Sequence, residues 1–307
     1  MFSRSIALLA LASAVAPVLS WDPFGHQTVG YVAASYFTLE ARTIFSPLLN
    51  LGPTFDIGDA AAWADTVRDS SNLPWSKNWH FINPKGDDPD NHVCVMNYPN
   101  DCVKDNCIIA AIMNQTSILL DTSKPWINRR NATMFLLHFF GDLHQPMHTS
   151  GFKYGGNLVR PVCWGTDAPC AESTKSLHSV WDGAIPRKLR GLKETTTPVE
   201  DKVAAMAWAD EIVERQTLEG EWLEEETCSD ITGPKCVLGY AAESNKLVCS
   251  NALKNGERWV MGQDLSGEYF QENAKVVESQ VGKAGWRLAG WMNAIARELA
   301  KVEVGDL

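Results

Sequence analysis

Two pairs of residues share one pattern: His138 with Asp142 and His178 with Asp182, each a histidine followed four positions later by an aspartate. Positions i and i+4 share a helix face, so each pair can grip one cation or two adjacent ones. Taken singly, such a pair also suits a surface ion pair or a capped core histidine. One of the two, however, lies within Asn131–His144 (NATMFLLHFFGDLH), an otherwise apolar stretch. Burying an imidazole and a carboxylate there without partners costs several kcal/mol, and a bound metal is one remedy. Imidazole nitrogen plus carboxylate oxygen, with no thiolate, suits Zn²⁺ in a hydrolytic centre that keeps positions open for water.

Other residues of the same types surround these pairs. His148 follows the Gln145-Pro146 break and can swing back toward the same pocket from a loop. His80 sits in WHFIN and Asp65 in AAWADTVR, and each alone reads equally well as a supporting or surface polar group. Gly155-Gly156-Asn157 is a turn, and beside a metal pocket it lets backbone approach a ligand closely. At the other end of the series stands His26, five residues after Trp21. Residues 1–20 carry Arg4, an apolar run from Ile6 to Val18 and the small Ser20, the pattern of a secretory signal peptide. Cleavage after Ser20 would expose the α-amine of Trp21, whose neutral lone pair can bind a metal.

The elements that must hold these groups are mostly helical. Apolar spacing predicts helices over His26–Phe37, Ala60–Arg68, Cys107–Asp121, Ser176–Asp182, Val199–Leu218, Gly239–Leu253 and Glu272–Lys301. Asn131–His144 is read as a central buried helix stopped by Pro146. Strand signals are sparse, with one hairpin expected around Gly155–Cys163. The expected fold is all-α: a single predominantly helical domain over residues 21–307, with a minor β-hairpin, and no linker or repeat divides it.

The eight cysteines all follow the leader, and an even count behind a signal peptide favours disulfides over thiolate ligands. Short loops suggest Cys102–Cys107 and Cys163–Cys170, leaving the pairing of Cys94, Cys228, Cys236 and Cys249 open. Sequons at Asn114 and Asn131 fit glycosylation on the same export route. A formal charge of −10 argues against salt-driven wrapping of a polyanion, yet permits phosphate to be held through bound cations.

Assembled in order, WDPFGHQTVGYVA, AAWADTVR, WHFIN, LLHFFGDLHQPMH, YGGN, SLHSVWD and AGWRLAGWMN give the chain a resemblance to the S1/P1 nucleases, zinc-dependent single-strand nucleases and 3′-nucleotidases. The resemblance runs across essentially the whole of residues 21–307 and implies a trinuclear zinc cleft. One zinc would be held by Asp65, His80, His138 and Asp142. A second would take the amine and carbonyl of Trp21 with His26, sharing Asp142 as a bridge. The third would be held by His148, His178 and Asp182. It further implies a zinc-bridged hydroxide nucleophile, cleavage of the 3′-O–P bond to leave 5′-phosphates, and single-stranded DNA, RNA and 3′-nucleotides as substrates. No protein partner is implied, and no apolar stretch after the leader approaches the length of a membrane span. Asp65, Arg68 and Asp142 are then the catalytic group, and Arg68, Phe81, Asn83, Tyr154, Gly156 and Asn157 the substrate contacts. His92 and His144 stay unassigned, the latter with a structural or supporting role.

Two positions depart from the family pattern. Arg68 stands where members often place Lys, and bidentate phosphate contact becomes available. Asn83 stands where the best-known members place an Asp on the base edge, so base preference is open while the zinc chemistry is not. A bacterial zinc phospholipase C is the rival enzyme reading, but that class typically ends its ligand series with Glu rather than Asp182. A non-catalytic secreted zinc-binding protein is the other rival, and it has no need of a stacking aromatic or of Arg68.

Overall fold

The computed structural model describes residues 21–70, 73–165, 170, 173–220, 228 and 230–305. Eleven helices are described: α1 (Pro23–Ser35), α2 (Leu39–Leu49), α3 (Ile57–Asp69), α4 (Ile108–Leu120), α5 (Trp126–Leu143), α6 (Leu177–Ser179), α7 (Ile185–Leu189), α8 (Pro198–Glu219), α9 (Lys235–Leu247), α10 (Glu257–Met261) and α11 (Glu268–Gly305). Short 3₁₀ turns occupy Pro74–His80 and Pro146–Thr149, and π turns occupy Val180–Ala184 and Val248–Ala252.

Local chemistry sets the helix starts. Asp22 caps α1 by accepting from the Gly25 amide, with Pro23 supplying a preset φ at the first helical position. A reciprocal pair, Asp56 with Asp59, caps α3, and Thr197 with Glu200 caps α8 behind Pro198. The central helix behaves differently. No side chain caps α5, and every residue from Ala132 to Leu143 is buried, so tertiary packing holds it. It lies against α3, α4 and α11, while α1 lies against α3, α8 and α11. Two glycines permit these close approaches: a Cβ at Gly30 would lie 2.9 Å from the Ala61 Cβ, and one at Gly285 2.5 Å from Val32.

Most of the expected helices are present with shifted ends. α5 begins at Trp126, well before Asn131, because Pro125 fits the position just ahead of a helix. α2, which carries Pro47 inside it, is not among the helices expected from the sequence. The expected hairpin at Gly155–Cys163 is a correction. Among the described residues the only β pairings are isolated bridges, and Cys163 pairs in one of them with Asp264. Lys153, Tyr154, Gly155 and Gly156 all have positive φ, from 49° to 77°, which coils this stretch into successive turns instead of extending it. The leader expected over residues 1–20 lies outside the described residues.

Cys102–Cys107 and Cys163–Cys170 are bonded as their short loops suggested, and the two open pairings are Cys94–Cys249 and Cys228–Cys236. Among the described residues no helix is long and apolar enough to cross a membrane.

Candidate metal centre and its rim

Three groups of buried side chains each bring ligand atoms within 4.8 Å of one another: Asp65, His80 and His138; His26, His138 and Asp142; and His148, His178 and Asp182. They form one continuous chain. The Asp142 carboxylate lies 3.2 Å from His138 Nε2, 3.0 Å from His80 Nδ1, 3.5 Å from His26 Nε2 and 3.6 Å from His148 Nδ1. His138 Nε2 also faces Asp65 at 3.4 Å, and its ring stacks on His26 at 3.7 Å between centroids. In the third group His178 Nε2 is 3.2 Å from Asp182, and the His148 and His178 rings are 4.9 Å apart.

Each element has a reason to point inward. On α5 the i, i+4 pair His138 and Asp142 shares one face. α1 brings His26 against α5 at Gly141, where a Cβ would sit 2.7 Å from His26 Nδ1. Residues 80–82 run between the His148 turn and α4: the Ile82 amide donates to the His148 carbonyl at 2.9 Å, and the Ile108 amide to Phe81 at 3.0 Å. The wider π turn keeps Asp182 over His178, and such bulges recur at functional sites. Gly155, with φ of +61°, lets this turn pack closely on Met147 and His178, since a Cβ would lie 2.5 Å from the Met147 carbonyl oxygen and 3.3 Å from His178 Nδ1.

Three of the imidazoles have one ring nitrogen committed to backbone. His138 Nδ1 meets the Ala61 carbonyl at 2.8 Å, His148 Nδ1 the His80 carbonyl at 2.7 Å, and His178 Nδ1 the Gly155 carbonyl at 2.6 Å. In the neutral ring that contact fixes the tautomer and turns the Nε2 lone pair toward the pocket, the usual arrangement around a ligating histidine. His148 Nε2 and His80 Nε2 are buried with no hydrogen-bond partner.

The charges are uneven. Burial opposes ionisation of Asp142, yet His138 and His148 hold its carboxyl well below the usual range, and His138 and Arg68 hold Asp65 low likewise. Burial also works against His138, but Asp142 and Asp65 lift it to about 10. His26 falls to about 4 through burial and the neighbouring His138, and burial lowers His80. Asp182 moves the opposite way, pushed well above its ordinary value by burial and by the negative charges of Asp65, Asp142 and Asp22.

Trp21 is fully buried, its indole Nε1 donating to the Gly141 carbonyl at 2.9 Å. The next amide, Asp22, donates to the Asp182 carbonyl at 3.0 Å, so the chain enters between α5 and the π turn. Arg68 is 3% exposed, with Nη1 2.8 Å from Asp65. Phe81 and Asn83 are half-buried and line one cavity of about 470 Å³. Tyr154 is 71% exposed, and its carbonyl accepts from Asn157 Nδ2 at 2.9 Å, while Gly156 is buried behind it. Asn114 is exposed on α4 and Asn131 half-buried on α5. Of the unassigned histidines, His92 is exposed in a left-handed turn. His144 is buried between the Phe140 carbonyl at 2.7 Å and Arg287 Nη1 at 3.0 Å, a structural position.

Sequence reasoning missed Gln145 and Asp22. Gln145 Nε2 donates to Asp182 Oδ1 at 2.5 Å while its Oε1 accepts from the Met147 amide. An amide is not a metal-ligand type, so its only signal was its place between His144 and Pro146. Asp22 joins Arg187 Nε at 2.5 Å, and Arg187 reaches on to Asp201 at 2.7 Å, tying residue 22 to α7 and α8. Asp22 is a helix-cap residue type ahead of Pro23, but its ion pair with Arg187 leaves no mark in the sequence.

A disulfide-bridged helical protein with three metal-capable His/Asp groups joined through a shared carboxylate is the class that fold and site define. The S1/P1 nuclease family model matches residues 21–297. Nuclease S1 of Aspergillus oryzae is 32% identical over 96% of this chain and 97% of that protein. Nuclease P1 of Penicillium citrinum is 32% identical over 92% of this chain and 100% of that protein, and endonuclease 3 of Arabidopsis thaliana 30% over 96% and 97%. The chain belongs to the S1/P1 nuclease family and is a hydrolase of the nuclease class.

Proposed function

We propose that this chain is a secreted zinc enzyme that cuts single-stranded DNA and RNA at the 3′-O–P bond, leaves 5′-phosphates and also accepts 3′-nucleotides. The observation that carries this reading is the continuous run of buried imidazoles and carboxylates about Asp142, with Phe81, the residue after His80, and Asn83 lining a cavity. The donor set fits zinc. It is nitrogen and oxygen only, and the buried His148 Nε2 has its other nitrogen committed to a carbonyl and lacks a hydrogen-bond partner.

Asp65, His80, His138 and Asp142 would hold one ion. The amine and carbonyl of Trp21, with His26 and a shared Asp142, would hold a second, and His148, His178 and Asp182 a third. Bound zinc would supply positive charge to the phosphoryl oxygens and the departing 3′-oxygen, and would bring the pKa of water to about 7. The protein's own residues do the rest. Arg68, three residues after Asp65, brings a guanidinium to the phosphate edge of the cluster. Phe81 offers a face for a base, Asn83 reads its edge, and Tyr154 with the Gly156-Asn157 turn closes the opposite rim. In the reaction a water oxygen bonds to phosphorus, the bond to the 3′-oxygen breaks, that oxygen takes up a proton, and the phosphate stays on the 5′-carbon.

Residues 1–20 are proposed as an export leader whose removal frees the Trp21 amine. The four disulfides and the sequons at Asn114 and Asn131 fit that route. The test compares protein beginning at Trp21 with a form keeping extra residues ahead of it, measuring zinc by elemental analysis and hydrolysis of denatured DNA. The expected outcome is three zincs and activity in the first form, and one zinc fewer with most activity lost in the second. Fewer than three zincs in the first form, intact denatured DNA, or hydrolysis of phosphatidylcholine in its place would overturn the reading.

A further inference from the structure

The cavity that receives Phe81 and Asn83 has a second wall that the reaction does not use. It is lined by Phe81, Asn83 and Lys85 and by Val103, Lys104, Asn106 and Cys107, the last four belonging to the loop closed by the Cys102–Cys107 disulfide. That loop contains Lys104 at φ 57°, ψ 35° and Asp105 at φ 54°, two successive non-glycine residues in the left-handed region. Such a conformation is costly and is held by its surroundings, here the covalent closure of the loop. The result is that Lys104 lines the cavity together with Lys85.

Both lysines are exposed, and neither has an ion-pair partner among the described residues. One carboxylate, Asp101, also lines the cavity, but its oxygens accept from the Lys85 amide at 3.1 Å and the Asn97 amide at 2.6 Å. In a chain of formal charge −10, a nucleotide-sized cavity with two ammonium groups and one backbone-bound carboxylate is a local positive site. A nucleotide unit in a strand has two phosphate arms. If the 3′ arm lies at the metal clusters, as the proposed function requires, the 5′ arm is the one left to meet further charge.

We propose that Lys85 and Lys104 form a second phosphate subsite, which takes the 5′-phosphate of the nucleoside whose base lies over Phe81. The inference rests on the proposed function for the direction of the strand. It makes the preferred substrate a strand, or a nucleotide carrying both phosphates, over a bare nucleoside 3′-phosphate. The disulfide-closed loop then acts as a positioning device for a charge, and reduction of Cys102–Cys107 would loosen it.

The test measures equilibrium binding of adenosine and of adenosine 5′-monophosphate to the metal-loaded protein by calorimetry, beside K85A/K104A and K85R/K104R. Two partly screened charge contacts are expected to make the monophosphate bind about tenfold tighter than adenosine at low salt. That advantage should vanish in K85A/K104A, return in K85R/K104R and shrink as salt rises. Equal affinities for the two ligands in the unmodified protein would overturn the inference. So would an advantage that survives in K85A/K104A, since the phosphate would then be held at the metal clusters. No turnover is needed, so failure to hydrolyse denatured DNA would strike the proposed function while this binding comparison still decides the subsite.

Discussion

The two His-x-x-x-Asp pairs have the same spacing and opposite surroundings. His138 and Asp142 sit on the regular, fully buried α5, where four histidines converge on one carboxylate and hold it ionised. His178 and Asp182 sit on a one-turn helix running into a π turn, and Asp182 meets burial and the fields of three other acids. The first pair is neutralised from within by its neighbours. The second is short of positive charge, and the Gln145 amide is its close donor. Identical spacing in a sequence therefore does not mean an equivalent electrostatic environment, because the partners come from elsewhere in the chain.

Removing the shared carboxylate should separate the pairs most sharply. Asp142→Asn is expected to lower hydrolysis of single-stranded DNA by about a thousandfold or more and to cost at least one equivalent of zinc, whereas Asp182→Asn should cost one equivalent and spare the Asp142 side. Elemental analysis with steady-state rates checks both, and equal metal loss in the two variants would break the contrast. Gln145→Ala should weaken metal binding at the Asp182 group alone, by about 10–100-fold, as read by competition with a graded chelator. Gly141→Ala attacks the other side, because its Cβ would lie 2.7 Å from His26 Nδ1. It should destabilise the protein by about 1–3 kcal/mol, seen as a lowered thermal midpoint, with the His148 group still loaded. The smallest effect belongs to the rim. Asn83→Asp should shift the ratio of rates on the four homopolymers while leaving zinc content unchanged, and unchanged ratios would remove Asn83 from base selection.

Much of this was readable in the chain because burial and residue type conflict at the site. His138 and Asp142 interrupt an apolar helix, and a polar group in such a place announces a partner. The central helix, its end before Pro146 and the two short disulfide loops followed from the same local rules. What escaped depends on distant residues. Gln145 matters only because the chain doubles back to Asp182, and Asp22 only because α7 presents Arg187 to it. The stretch after Lys153 was misread as a hairpin because a Gly-Gly-Asn turn signal does not tell whether the flanking residues extend or coil. Cys94 and Cys249 are 155 positions apart, beyond any argument from spacing.

That last bond encloses every ligand from His138 to Asp182 in one covalent ring. A single proteolytic nick in the exposed turn at Tyr154 would therefore leave two peptides still tethered, moving as one species on a non-reducing gel and parting only when thiol is added. A cut backbone then need not mean a lost molecule.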